Sequence, residues 1–206
     1  MTNTALLLTW SLLALAASMS PGPDTLLVAG HGARGGRRAG LAAVAGIVAG
    51  GVWYMALVGL GFLSLLAAWP TLFVAVKIAG ALYLAWLGAK LILGAIRPQP
   101  TGTEPTVALS APFRQGFLTN ALNPKVALFY LAALPQFVGT GPKAPLIGIG
   151  LIAIHYAIGG AWLSLVALAA ARAGTVLRAS TAMRWVEGVL GAAFIGLAGK
   201  LAVSRS

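Results

Sequence analysis

The sequence contains no cysteine and very little negative charge. The lack of cysteine excludes disulfides, thiolate nucleophiles and cysteine-ligated metals. Only Asp24, Glu104 and Glu187 are acidic, against 14 Lys and Arg, which gives a formal net charge of +11. Charged residues make up 8% of the 206 positions, compared with about 25% in soluble domains. Together with a mean hydropathy of +0.92, this scarcity of charge predicts an integral membrane protein.

The basic excess does not indicate a nucleic-acid-binding protein. Such proteins need clustered Lys and Arg on an exposed face, whereas these residues are sparse and lie between long apolar runs. The sequence also has no GxxxxGK[ST] phosphate loop and no HExxH motif, which excludes ATP hydrolysis by this chain and zinc proteolysis of that type. We therefore predict neither an enzyme nor a cofactor or metal site.

Six segments are apolar and long enough to cross a bilayer, which takes about 20 residues. They lie at roughly 5–29, 41–64, 72–95, 116–138, 146–171 and 185–203. The first segment has no preceding Lys or Arg of the kind found in signal peptides, so we expect it to remain as a transmembrane helix. Residues 97–115 are rich in Pro, Thr and Ser. They are predicted to link two three-helix halves, 1–96 and 116–206, of a single membrane domain.

Basic residues are unevenly distributed between the two sets of connectors. One set holds Arg34, Arg37, Arg38, Lys90, Arg97, Arg114, Arg172, Arg178 and Arg184. The opposite side has Lys143, Lys200 and Arg205. Because cytoplasmic loops are enriched in Lys and Arg, we expect the first set in the cytoplasm and both termini on the outer, periplasmic side. The charges at the C-terminus leave a five-span arrangement as an alternative.

Each half opens with a helix that proline interrupts, at SPGPD (20–24) and at NPK (123–125). Proline removes a backbone donor, and broken backbone is tolerated in a membrane only against protein or a water-filled cavity. Three helices per half would place the halves in opposite orientations. Paired breaks of this kind indicate an inverted-topology transporter with its substrate site at the two broken helices. The residues assigned to that site are Pro21, Gly22, Pro23, Asp24, Asn120, Asn123, Pro124 and Lys125.

Asp24 and Lys125 follow the two breaks at like positions. A charge at membrane depth costs about 2.5–3.5 kcal/mol, so two charges beside two breaks indicate a binding site. Lys125 and a half-helix N-terminus suit a carboxylate, while Asp24 and open carbonyls suit an ammonium group. The alternative is a purely structural role in which the two side chains pair with each other or snorkel.

His155 and Asn120 are each open to two interpretations, whereas Gly22 and His31 each carry one expectation. His155, near the middle of the fifth segment, could relay a proton, as could Asp24, or stay neutral and hydrogen-bonded. Asn120 could contact substrate or bond carbonyls that the proline releases. Gly22 is expected to adopt backbone conformations closed to other residues. His31 lies in a basic connector and is expected to be solvated.

Two small-residue pairs allow close helix packing and, secondarily, a homodimer face. They are Gly46 with Gly50, and Ala192 with Gly196.

Five blocks of the sequence together resemble the lysine exporter and homoserine/threonine resistance (LysE/RhtB) family. They are SPGPDTLLV, GARGGRRAGL with the following GIVAGG, KIAGALYLAWLGAKL, FRQGFLTNALNPKVALFYLAALPQFV and the apolar tail. The resemblance implies six helices in the bacterial inner membrane and export of amino acids or close derivatives, driven by the proton-motive force. The motif positions are Pro21, Gly22, Pro23, Asn120, Asn123, Pro124 and Lys125, while Asp24 falls where relatives vary.

The sequence therefore predicts an all-α integral membrane protein with six transmembrane helices in two inverted halves. Its expected function is secondary export of an amino acid across the inner membrane by alternating access, with protons and the lipid bilayer as further partners. The alternative is an inorganic-ion exporter on a related scaffold, although cation sites want more carboxylate or histidine ligands than are present.

Overall fold

The computed structural model describes residues 3–20, 22–61, 70–96, 111–139, 141–177 and 182–203, which are almost entirely helical. The helices are α1 (Asn3–Met19), α2 (Pro23–Gly59), α3 (Pro70–Ile96), α4 (Pro112–Ala121), α5 (Pro124–Ala133), α6 (Pro135–Val138), α7 (Ala144–Leu177) and α8 (Ala182–Val203). Within these ranges, α2 and α7 carry stretches long and apolar enough to cross a membrane. The prediction of an all-helical protein is confirmed for these residues.

Helix α2 is a hairpin of two arms that meet at Gly36. This residue has φ 71° and ψ −166°, outside helical geometry, in a region that favours glycine. A Cβ built on Gly40 would lie 3.2 Å from the Cα of Gly32, although eight residues of straight helix span about 12 Å. The chain therefore reverses here. The first arm (23–35) continues the first predicted segment, and the second arm (37–59) covers most of the next.

The two predicted breaks are present, and proline begins a helix after each of them. Helix α1 ends at Met19 and α2 begins at Pro23, while α4 ends at Ala121 and α5 begins at Pro124. Proline is favoured at the first helical position because the amide it lacks would have no partner there. Helix α4 begins at Pro112, four residues before the segment that the sequence predicted.

Two apolar clusters hold the helices together. The larger lies between α1, α2, α5 and α7, and includes Trp10, Ile47, Tyr130 and Ile152, each at most 3% exposed. The smaller joins the first arm of α2 to α3 and α8 through Leu27, Leu84, Leu87, Phe194 and Ala198. The first arm thus touches both clusters.

Glycines set the closest helix contacts. A Cβ on Gly46 would overlap the Phe113 carbonyl, and one on Gly50 would overlap the Asn120 side chain, both of α4. Gly46 and Gly50 therefore allow close helix packing within the chain, which is the first of the two interpretations given for this pair, and they do not form a dimer face. Ala192 and Gly196 of α8 are exposed.

Candidate substrate site

A cavity of about 70 Å³ lies between the two helix breaks. The predicted residues that line it are Gly22, Asp24, Asn120, Asn123, Lys125 and His155. Pro23 and Pro124 are buried as the first residues of α2 and α5 and are not among the lining residues. Pro21 lies outside the described residues. The structure thus brings the two distant motifs together around one space.

A chain of hydrogen bonds holds Asp24 at the wall of this cavity. The Asn120 Nδ2 donates to Asp24 Oδ2 at 2.8 Å, and the Tyr156 hydroxyl donates to Asn120 Oδ1 at 2.6 Å. Asn120 is 1% exposed, so its two bonds fix its orientation. Within the described part of the chain, Asp24 Oδ1 is buried and accepts no hydrogen bond. One carboxylate oxygen is therefore held by Asn120, whereas the other is buried with no hydrogen bond among the described residues.

Lys125 serves the carbonyl end of α1. Its Nζ donates to the Ser20 carbonyl at 2.7 Å and to the Ala17 carbonyl at 3.2 Å. The last carbonyls of a helix lack intrahelical donors and form the negative end of the helix dipole, so an ammonium group there is doubly favoured. Lys125 and Asp24 thus have separate hydrogen-bond partners.

The part that Gly22 plays differs from the expectation. Its φ of −167° and ψ of −173° describe extended backbone, which any residue adopts, so no glycine-only conformation is used. A Cβ there would lie 3.5 Å from Lys125 Nζ and 3.6 Å from its Cδ, which is ordinary van der Waals contact. The Gly22 backbone therefore lies directly beside the Lys125 side chain, and neither its conformation nor the surrounding space requires glycine.

The second break is stabilised by Asn123 and Tyr54. The Asn123 Oδ1 accepts the Lys125 backbone amide at 3.1 Å and so caps α5, a role for which asparagine is well suited. The Tyr54 hydroxyl faces the carbonyls of Asn123 and Asn120, at 3.3 and 3.5 Å. The backbone carbonyls at this break therefore face the Tyr54 hydroxyl. The side-chain amide of Asn120 donates to Asp24 and not to these carbonyls.

The two histidines occupy different sites. His155 is 8% exposed, and its Nδ1 lies 2.9 Å from the Tyr130 hydroxyl, at the cavity wall. His31 is 1% exposed, and its Nε2 lies 3.0 Å from Gln115 Oε1. The expectation that His31 is solvated is wrong, because the first arm of α2 extends past it to the Gly36 corner and packs on α4.

Sequence reasoning missed the residues that position the site. Tyr54 and Tyr156 lie on helices of the predicted spans, with nothing in the apolar pattern to set them apart. Gly50 and Gly51 do carry a signal, since paired glycines inside an apolar helix indicate close approach of another group. A Cβ on Gly51 would lie 2.5 Å from the Tyr156 ring, and one on Gly50 would meet Asn120. These glycines make space for the hydrogen-bond chain.

The cavity therefore combines one carboxylate, one ammonium group and apolar walls. Its apolar lining comes from Ile47, Val126, Phe129 and Leu163. Such a mixture of a few placed polar groups on an apolar surface is typical of small-molecule sites. It offers separate partners for a positive and a negative group of one small ligand.

Comparisons with known proteins agree with this geometry. The family description "LysE type translocator" matches residues 15–205. The threonine efflux protein of Escherichia coli K12 is 31% identical over 97% of this chain and 98% of its own length. The leucine efflux protein of Klebsiella pneumoniae is 29% identical over 90% of this chain and 89% of its own. An uncharacterised membrane protein of Pseudomonas aeruginosa is 36% identical over 65% of this chain and 64% of its own.

No solved structure matches the chain significantly. The family match nonetheless extends across both helix breaks and the cavity between them. The protein belongs to the LysE type translocator family, and it is accordingly a membrane transporter and not an enzyme.

Proposed function

We propose that this protein exports an amino acid, or a close derivative, across the bacterial cytoplasmic membrane. The observation that carries the proposal is the single cavity where two broken helices meet with one carboxylate and one ammonium group. Membership of the family and the resemblance to threonine and leucine efflux proteins support it.

Each end of a zwitterion has a partner in this cavity. The substrate carboxylate binds the Lys125 ammonium beside the N-terminus of the half-helix that begins at Pro23. The substrate ammonium binds Asp24, whose Oδ1 accepts no other bond within the described residues. The apolar walls take the substrate side chain.

Binding requires an exchange of partners at Lys125. Its ammonium already lies on the carbonyls of Ala17 and Ser20, where it occupies acceptors that suit a substrate ammonium. A carboxylate that draws Lys125 away releases these carbonyls.

Alternating access between two inverted three-helix halves is the transport cycle we infer. Helices predicted to occupy equivalent positions in the two halves are in contact. These are α3 with α8, through Gly88 and Gly191, and the two broken helices, which meet at the cavity. Contact between counterparts supports a pseudo-twofold arrangement of six spans. The distribution of Lys and Arg supports periplasmic termini, and a homodimer would use the exposed Ala192 and Gly196 face of α8.

Proton coupling would use Asp24 or His155, the carboxylate and the imidazole among the residues that line the cavity. Export of an inorganic ion is less well supported. Among the residues that the structure describes, no group of three or more His, Cys, Asp or Glu could hold a metal ion. Asp24 is the one carboxylate among the lining residues of the cavity.

The test is efflux from cells preloaded with amino acids as dipeptides, including those that release threonine and leucine. Wild type is compared with Asp24→Asn, Lys125→Ala and the control Lys143→Ala, whose side chain is exposed and outside the cavity. Export should be faster with wild type and the control than with either site variant. Collapse of the proton gradient tests coupling separately. Equal efflux from all strains, with protein verified in the membrane, contradicts amino-acid export.

A further inference from the structure

A second concavity lies on the surface of the helix bundle, away from the substrate cavity. It has a volume of about 450 Å³ and is lined by Arg37, Leu165, Leu168, Ala169 and Arg172. Arg37 stands beside the Gly36 corner of α2, and the other four residues belong to α7. Two arginines distant in sequence therefore line the same, otherwise aliphatic groove.

The four α7 residues form a single stripe, because positions i, i+3, i+4 and i+7 share one helix face. Leu165, at one end of the stripe, is 62% exposed, whereas Arg172, at the other end, is charged. The two ends are about 10 Å apart along the helix axis. A groove that is apolar at one end and cationic at the other matches a molecule with an acyl chain and an anionic head.

The position of Arg37 over this stripe is fixed by packing. A Cβ on Gly32 would lie 2.6 Å from the Ala167 carbonyl, and one on Gly40 would lie 2.9 Å from the Ala167 side chain. Both arms of the hairpin are thus pressed against α7 less than two turns from Arg172. The backbone that carries Arg37 is therefore held beside the α7 stripe by the packing of the hairpin.

We propose that this groove binds an anionic phospholipid, with its phosphate between Arg37 and Arg172 and an acyl chain along Leu165 and Leu168. Guanidinium groups pair with phosphate oxygens through two parallel hydrogen bonds. Basic pockets between transmembrane helices on the cytoplasmic side recognise anionic head groups, and both arginines fall in the basic connector set assigned to that side. The proposal does not depend on which substrate is exported.

The experiment is native mass spectrometry of the purified full-length protein in detergent, titrated with phosphatidylglycerol or phosphatidylcholine. Variants Arg37→Gln, Arg172→Gln and Leu165→Asn are compared with Arg38→Gln, which changes an exposed arginine of the same corner outside the groove. Soluble glycerol phosphate is added as a competitor in a separate series. Substrate efflux and circular dichroism check that each variant is folded.

Phosphatidylglycerol should bind in preference to phosphatidylcholine, and each groove arginine variant should weaken it about fivefold. Leu165→Asn should also weaken it, while Arg38→Gln should leave it within about twofold. Equal weakening by Arg38→Gln would show diffuse charge attraction and overturn the proposal. Displacement by glycerol phosphate, with Leu165→Asn binding unchanged, would show a phosphate site and not a lipid site. If Arg172→Gln does not fold, Arg37→Gln carries the test alone.

Discussion

Tyr156→Phe tests a single hydrogen bond of the candidate substrate site, because it removes one hydroxyl and leaves the ring in place. The lost bond is 2.6 Å long and joins two buried groups, the Tyr156 hydroxyl and Asn120 Oδ1. Leaving such an acceptor unpaired costs about 1–3 kcal/mol, which corresponds to about 5- to 150-fold in an equilibrium constant. Asn120 in turn donates to Asp24 at 2.8 Å. We therefore expect loss of the Tyr156 hydroxyl to weaken substrate binding indirectly, through Asn120.

The assay is the half-saturating substrate concentration for transport by membrane vesicles that contain equal amounts of protein. The matched control is Tyr83→Phe, whose hydroxyl lies 3.5 Å from the Gln115 carbonyl and outside the cavity lining. Tyr156→Phe should raise the half-saturating concentration by about tenfold, with little change from the control. The double variant with Asp24→Asn should be non-additive, since the residues share one network. Equal effects of the two Tyr→Phe changes, or strict additivity, would refute the reasoning.

Three other substitutions test other contacts. Gly50→Ala should reduce export by displacing Asn120, at an overpacking cost of about 1–3 kcal/mol. The control Gly150→Ala should not reduce export, because a Cβ at Gly150 would have no neighbouring atom within 4 Å; equal export by the two variants would contradict the packing of Gly50 against Asn120. Lys125→Met should raise transport of an amino alcohol relative to the corresponding amino acid by about tenfold, because the amino alcohol lacks the carboxylate that Lys125 binds. The ratio of the two transport rates is measured by competitive uptake into vesicles, and an unchanged ratio would exclude this role. Trp10→Phe removes the hydrogen bond that Trp10 Nε1 donates to the Leu151 carbonyl at 2.7 Å. It should lower the apparent melting temperature by about 2–4 °C for each kcal/mol of unfolding free energy that is lost, and an unchanged melting temperature would contradict a contribution of this bond to stability.

The apolar runs and prolines predicted a large part of this molecule. Long stretches without charge predict helices whatever their tertiary packing, and the observed helices cover the predicted segments wherever they are described. Proline has few places in a membrane helix, so SPGPD and NPK marked both breaks. The two charges after the breaks, Asp24 and Lys125, were recognised because charge is costly at that depth.

The remaining features depend on three-dimensional contacts that the pattern does not encode. His31 was assigned to a connector because glycines and arginines surround it, yet the chain turns at the single residue Gly36. The pairing of Gly46 and Gly50 shows that a small-residue face exists and leaves open which helix covers it. Tyr156 enters the site only because Gly51 gives its ring space on a helix distant in sequence.

The bonds from Lys125 to α1 also set an order of events during synthesis of the protein. Lys125 follows Ser20 by 105 residues and Ala17 by 108, so both carbonyls enter the membrane well before their donor has been translated. At about 5–20 residues per second, the interval is about 5–20 s. Throughout it, the nascent first half carries a helix end that lipid cannot satisfy. Water, the insertion machinery or a lipid head group has to satisfy these carbonyls until the second half of the chain enters the membrane.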